Sequence, residues 1–194
     1  MRADVPELDR DNHEGEAGVT LVSPQVIAPR LPPLGNSVAA QLYLAQWHLD
    51  RGAMSEAFCL FSQAARSEHP TCLNMLGRVF EQGWGTKRDV QEARRLFERA
   101  ASGGEGWAFY NLADLYLNGD GVVQDRVRAC TLYMEAARRG VGKAFNMLGL
   151  IHEDGYGACP ANVHHARDYY IAGRDCGDAA AAVNLARLGA LDGS

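Results

Sequence analysis

The chain has 194 residues, 19 Lys+Arg against 24 Asp+Glu, a formal net charge of −5 and 47% hydrophobic residues. That acidic balance argues against general nucleic-acid affinity, which needs phosphate-neutralising basic surface, and no apolar run is long enough to cross a bilayer. The length suits one sizeable core or a handful of repeats.

Residues 1–36 read as a separate region. They hold five of the seven prolines, Pro6, Pro24, Pro29, Pro32 and Pro33. The run VTLVSPQVIAPRLPP has no helical period, so a flexible arm of extended or polyproline-like backbone is expected. Such an arm is either a loose tail or a peptide that docks on a partner or on the protein's own groove. Its start, MRADVPELDRDNHEGEAG, lacks the basic head and apolar centre of a signal peptide. The expected location is cytoplasmic, with secretion by a non-classical route left open. The cysteines Cys59, Cys72, Cys130, Cys159 and Cys176 are odd in number and include no CxxC, which argues against a disulfide framework.

From Ser37 the pattern is helical. Residues 37–70 read as two helices on a short turn, with Leu44-Ala45, Ala57, Phe61, Ala64 and Pro70 as markers. Between 71 and 178 a longer motif recurs. The paired glycines Gly83/Gly85, Gly119/Gly121 and Gly155/Gly157 are 36 residues apart, and Gly77, Ala113 and Gly149 keep the same period. Ala93, Ala129 and Ala166 follow, as do Ala100, Ala136 and Gly173, with one residue inserted after Gly157. Asn184-Leu185-Ala186 repeats Asn111-Leu112-Ala113 and begins a last unit, whose helix over about 179–191 would cover the end of the stack. A fixed period of this size indicates stacked units, none of which buries its apolar face alone.

Each unit has a first helix (A), a glycine turn and a second helix (B). In the first copy Cys72, Leu76, Val79 and Phe80 share one face of helix A, and Gly83 stops it because glycine adopts positive φ freely. Cys72 takes the slot of Ala108 and Ala144 and is expected to be a small buried residue. Asp89, Asp125 and Asn162 precede helix B as N-caps, with Asp89 and Glu92 spaced as a capping box. The B stripe is Ala93, Leu96, Phe97 and Ala100, repeated as Ala129, Leu132, Tyr133 and Ala136 and as Ala166, Tyr169, Tyr170 and Gly173. The turn YLNGDGVVQD also invites a calcium or phosphate reading. An EF-hand register on Gly119 puts Tyr116 where a carboxylate is needed, and no Gly-Lys-Ser/Thr follows. The stretch therefore reads as C-cap, tight turn and N-cap.

Trp84 and Tyr156 sit between the paired glycines, where the middle copy has Asp120. Packing on the neighbouring repeat and an exposed edge contact both fit them. His152, like His48, falls in the packing slot of Phe80 and Tyr116, while His164 and His165 open a helix. A zinc site with Cys159 is not expected. No nucleophile–base–orienter set is present, so no catalytic residue is named and the chain is not expected to be an enzyme.

Residues 71–178 resemble three Sel1-like repeats, a branch of the tetratricopeptide repeat superfamily. The matching residues are Ala144, Leu148-Gly149, Gly155 and Gly157, and in the middle copy Ala108, Leu112-Ala113, Tyr116, Gly119, Gly121, Asp125, Ala129, Tyr133, Ala136-Ala137 and Gly140. Ala113, His152 and Gly173 depart from the pattern. Residues 37–70 resemble an ordinary tetratricopeptide unit. The resemblance implies an all-α, right-handed α-α solenoid acting as an adaptor or scaffold, with a protein or peptide segment on a concave face lined by the A helices. The groove positions so implied are Asn74, Arg78, Glu81 and Gln82, then Trp107, Tyr110, Asp114, Leu117 and Asn118, then Lys143, Asn146, Leu150, Glu153 and Asp154. Asparagine can pair with a peptide N–H and C=O, and Trp and Tyr supply anchoring area. Acids (Asp50, Glu81, Asp114, Glu153, Asp154) outnumber bases (Arg78, Lys143, Arg187), which implies a weak preference for a basic or neutral segment. No cofactor, metal, nucleic acid or membrane partner is expected, and the oligomeric state is not readable. Two alternatives remain open. One is a β-lactam-like small-molecule binder or hydrolase similar to cysteine-rich secreted members, whose disulfide in each repeat this chain lacks. The other is a secreted effector or regulator.

Overall fold

The computed structural model describes residues 33–156 and 160–192; the arm as far as Pro32, Gly157 and Cys159 lie outside them. The described residues form nine helices: α1 Asn36–Asp50, α2 Met54–Ala65, α3 Pro70–Gln82, α4 Val90–Ser102, α5 Gly106–Asn118, α6 Arg126–Arg138, α7 Gly142–Asp154, α8 Val163–Asp175 and α9 Ala179–Asp192. Each packs on the next, building a right-handed α-solenoid with the odd helices as one layer and the even helices as the other.

The glycine turns follow from backbone geometry. Gly83 (φ 74°) and Gly119 (φ 73°) cap α3 and α5 in the left-handed conformation. Each turn is closed by one repeated backbone bond. The N–H of Asp89, Asp125 and Asn162 donates to the carbonyl of Phe80, Tyr116 and His152, at 2.9, 2.9 and 2.7 Å. The same three side chains then cap helix B, accepting from the N–H of Glu92, Arg128 and His165 at 3.0, 2.9 and 3.0 Å. Only half of the expected capping box therefore forms. The Asp89 N–H is already spent on Phe80, and Glu92 turns to Arg95 instead. Gly155 also departs from its counterparts. Its φ of 78° and ψ of 159° belong to a region essentially reserved for glycine, so the third turn takes another path.

The second glycine of the first two pairs serves packing between repeats. A Cβ at Gly85 would lie 2.1 Å from the Met54 carbonyl oxygen, and one at Gly121 would lie 2.8 Å from Val90 Cγ1. These two turns thus rest on the first residue of the preceding B helix. The residues between the glycines point the same way. Trp84 packs on the core formed with α1 and α2, Tyr156 packs on the core of the middle repeat, and Asp120 pairs with Arg88. Packing on the neighbouring repeat is what the two aromatics do.

Within each repeat a ring from helix B fills the space over the small residue of helix A. Phe97, Tyr133 and Tyr170 are fully buried. A Cβ at Gly77 would come within 2.6 Å of Phe97 Cε1, and one at Gly149 within 2.3 Å of Tyr170 Cε1. Cys72 is fully buried as expected, and burial pushes its thiol pKa up. The terminal α9 lies on α7 and α8 through Ala181 and Leu188. Gly173 explains how it approaches so closely, since a Cβ there would lie 2.7 Å from that of Ala181. No helix of the described residues is long and apolar enough to cross a membrane.

Candidate binding face

The odd helices touch one another along the solenoid through polar side chains. Between α3 and α5, Asn111 Nδ2 donates to Asn74 Oδ1 at 2.8 Å, and Thr71 Oγ1 donates to Glu105 Oε2 at 2.6 Å. Between α7 and α9, Asn184 Nδ2 donates to Asn146 Oδ1 at 2.8 Å. Asn74 and Asn146 are only 4% and 9% exposed. Of the sequence-derived positions, these two hold neighbouring repeats together, each with an amide oxygen already engaged. Their partners Asn111 and Asn184 were not among those positions. The signal was present in the recurrence of Asn-Leu-Ala, two residues before each small residue.

The open part of the face lies around α5. Trp107 is 44% exposed and meets the half-buried Tyr110 edge-on, with ring centroids 5.6 Å apart. Tyr110 meets Tyr133 at 5.4 Å. Burial, then the charges of Asp114 and Asp178, push the Tyr110 pKa up to about 12. Lys143, Gln82, Asn118 and Asp154 are exposed, and Arg126 reaches Asp154 at 3.1 Å. Arg78 lies over the Trp84 ring, 5.5 Å from its centroid. Leu117 and Leu150 are half-buried and packed on the core.

Two tyrosines cross from the B layer to this face. Tyr133 donates its hydroxyl to Asp114 Oδ1, and Tyr170 donates to Glu153 Oε2 at 2.8 Å. Phe97 occupies the same place without a hydroxyl. The carboxylates differ in what else they meet. Glu153 also accepts from both terminal nitrogens of Arg187, at 2.7 and 2.6 Å, and this pairing holds its carboxyl below the usual range. Among the described residues Asp114 meets no such cation. Burial raises its pKa to about 6, the Tyr133 hydrogen bond opposes that rise, and the neighbouring Glu81 adds to it. Burial also raises the pKa of Glu81, partly offset by Arg78.

His152 stacks among Tyr169, Tyr156 and His165, with centroids at 5.0, 5.1 and 5.8 Å, and burial lowers its pKa. Among the described residues no three His, Cys, Asp or Glu side chains converge as metal ligands.

A stack of helix hairpins joined by glycine turns, with an aromatic ring under each small residue, defines a helical-repeat solenoid, a fold that generally serves protein interaction. Residues 70–105, 108–141 and 143–178 match the Sel1 repeat family model. These segments make up more than half of the chain, which therefore belongs to the Sel1 repeat family. Among solved structures, a Sel1 repeat protein from Oxalobacter formigenes is 29% identical, with a TM-score of 0.73 over 81% of this chain and 65% of that one. The protein c5321, a protective antigen of uropathogenic Escherichia coli strains with an SLR fold, is 21% identical, with a TM-score of 0.68 over 77% of this chain and 33% of that one. The chain spans less than two thirds of either protein. No curated protein matches its sequence.

Proposed function

We propose that this chain is a non-catalytic adaptor that holds a protein or peptide segment along the face of α3, α5, α7 and α9. The observation that carries this reading is the pair Trp107 and Tyr110. A Trp 44% open to solvent, beside a half-buried Tyr, sits mid-way along a layer of otherwise close-packed helices. Aromatic side chains of this kind supply large contact area with few rotatable bonds and dominate binding energies at interfaces. Arg78, Glu81, Asp114, Lys143 and Glu153 give that face a polar rim. The buried pairs Asn74–Asn111 and Asn146–Asn184 fix the spacing of the helices that carry it.

The test is affinity capture from the native source by the full chain, run beside a Trp107→Ala/Lys143→Ala variant and a Tyr43→Ser/Trp47→Ser variant. Tyr43 and Trp47 are exposed on α1, which is not one of the four helices of the proposed face. A partner lost only by the first variant supports the reading. A partner kept by the first and lost by the second would move the binding surface to α1 and refute it.

A further inference from the structure

Each A helix meets the preceding hairpin through one set of positions, counted from its small residue. Two residues after that marker stand Val79, Leu115, Ile151 and Leu188, all buried. They share a core with Phe61, Phe97, Tyr133 and Tyr170 of the B helix before them. On α1 the marker is Ala45 and the same position is Trp47, which is 50% exposed. With Tyr43, 81% exposed, and Leu44, it lines an open groove of about 840 Å³. The polar groups at its edge are already engaged. Gln46 donates to Asp50 at 2.7 Å, and Arg51 lies 4.5 Å over one face of the Trp47 ring. Thus α1 presents the surface that elsewhere docks a hairpin, and among the described residues no hairpin covers it.

The chain itself supplies a cover. Residues 33–35 lead into α1, and Gly35 has the polyproline-like φ of −61° and ψ of 144°. The run VTLVSPQVIAPRLPP ends there, and its only charged residue is Arg30. Its prolines exclude a helix, so it would lie on α1 as an extended strip. A helix rises about 1.5 Å per residue and a polyproline-like chain about 3.1 Å. Counting back from Gly35, Leu31 comes level with Tyr43 and Pro29 with Trp47, and Ile27 and Val26 reach beyond. A second copy fits this face less well. By register α9 is itself an A helix, and among the described residues no B helix follows it to complete the hairpin that α1 would meet.

We propose that residues 26–33 fold back along α1 and cover Tyr43, Leu44 and Trp47, closing this end of the stack as α9 closes the other. Aromatic-lined grooves receive extended proline-rich segments, whose backbone has little freedom left to lose. The tether adds an effective concentration that a free peptide lacks. A surface that elsewhere joins repeat to repeat is then withheld from other apolar partners.

Trypsin reads the docked state at Arg30, with Arg2 and Arg10 as references in the same arm. Its cutting follows the population of undocked arm. In early digests of the full chain, mass spectrometry should show cleavage after Arg30 at least fivefold slower than in Val26→Ser/Ile27→Ser or Tyr43→Gln/Trp47→Gln, with Arg2 and Arg10 unchanged. The protection should persist on dilution. Glutamine keeps the helix propensity of α1, and cleavage after Arg51, just past its C-terminal end, reports any loosening. Iodide quenching of tryptophan emission is a second readout that leaves α1 intact. Val26→Ser/Ile27→Ser should increase it, because Trp47 loses its cover. If the α1 variant is also cut faster at Arg51, the helix itself has loosened and the quenching decides. Equal cleavage after Arg30 in all three proteins, release by only one variant, or unchanged quenching overturns the proposal. Protection lost on dilution overturns it in favour of a second copy on α1.

Discussion

Gly149→Ala is the sharpest test of how the rings set the solenoid. Alanine is the better residue for a helix interior, so propensity alone makes this change stabilising by about 1 kcal/mol. Packing opposes it. The new Cβ would lie 2.3, 2.6 and 2.9 Å from Cε1, Cδ1 and Cζ of Tyr170, a ring that is fully buried. Ordinary carbon contacts need about 3.5–4.0 Å, so the ring must retreat by roughly 1 Å or more. It is pinned at its far end, where the hydroxyl donates to Glu153 at 2.8 Å. Overpacking at about 1–3 kcal/mol and a weakened charged hydrogen bond at about 1.5–3 kcal/mol outweigh the propensity gain, for a net loss of about 2–4 kcal/mol. Urea unfolding followed by helical circular dichroism measures it. In a Tyr170→Phe background the ring loses its tether, and the cost of Gly149→Ala should shrink by about 1 kcal/mol. Gly77→Ala should cost less than Gly149→Ala, because Phe97 has no hydroxyl to hold it. A Gly149→Ala protein more stable than the parent would refute the account, leaving helix propensity as the only effect.

Three further outcomes follow from the same contacts. Asp114 has a folded pKa of about 6, above its ordinary 3.8, so the folded state binds the proton more tightly. Its contribution to stability is thus greatest below pH 4 and is lost as pH rises through 6, with Glu81, Tyr110 and Tyr133 as the titratable neighbours. Asp114→Asn should stabilise the chain at pH 7 by on the order of 2 kcal/mol and make no such gain at pH 4, read from urea midpoints at the two values. Asn74→Ala leaves the buried Asn111 amide without its acceptor and should cost about 1–3 kcal/mol, while Asn74→Leu/Asn111→Leu should recover part of the loss in thermal unfolding. Gly85→Ala combines positive φ with a contact of 2.1 Å to Met54, whereas Gly52→Ala has positive φ and nothing within 4 Å. Limited proteolysis should therefore cut between α2 and α4 faster in the first variant, and the second should lose only about 1 kcal/mol.

Much of the repeat was legible because its devices are local. A C-cap glycine, an N-cap Asp or Asn and a stripe at helical spacing act within a few residues, so Gly83, Asp89 and the row Ala93, Leu96, Phe97, Ala100 declare themselves in the chain. The capping box misled because the Asp89 N–H had a second suitor, Phe80, across the turn. The binding face was legible as a set of positions on helix A but not as a set of environments. Asn74 and Asn146 have the chemistry of peptide clamps, yet their amides meet Asn111 and Asn184 a whole repeat away. Tyr133 and Tyr170 counted as core rings, and their buried hydroxyls bond Asp114 and Glu153 of the A layer.

The sequence alone determined the period, the helix pairs, the turns and the family, since each rests on short-range backbone geometry repeated at 36 residues. Only the tertiary structure decided which polar side chains face solvent, which bind the next repeat, and that Glu153 pairs with Arg187. Those pairings join residues 34 to 38 positions apart. They depend on how far one helix slides and turns against its neighbour, and that is set by the rings packed beneath Gly77, Ala113 and Gly149 rather than by any local spacing.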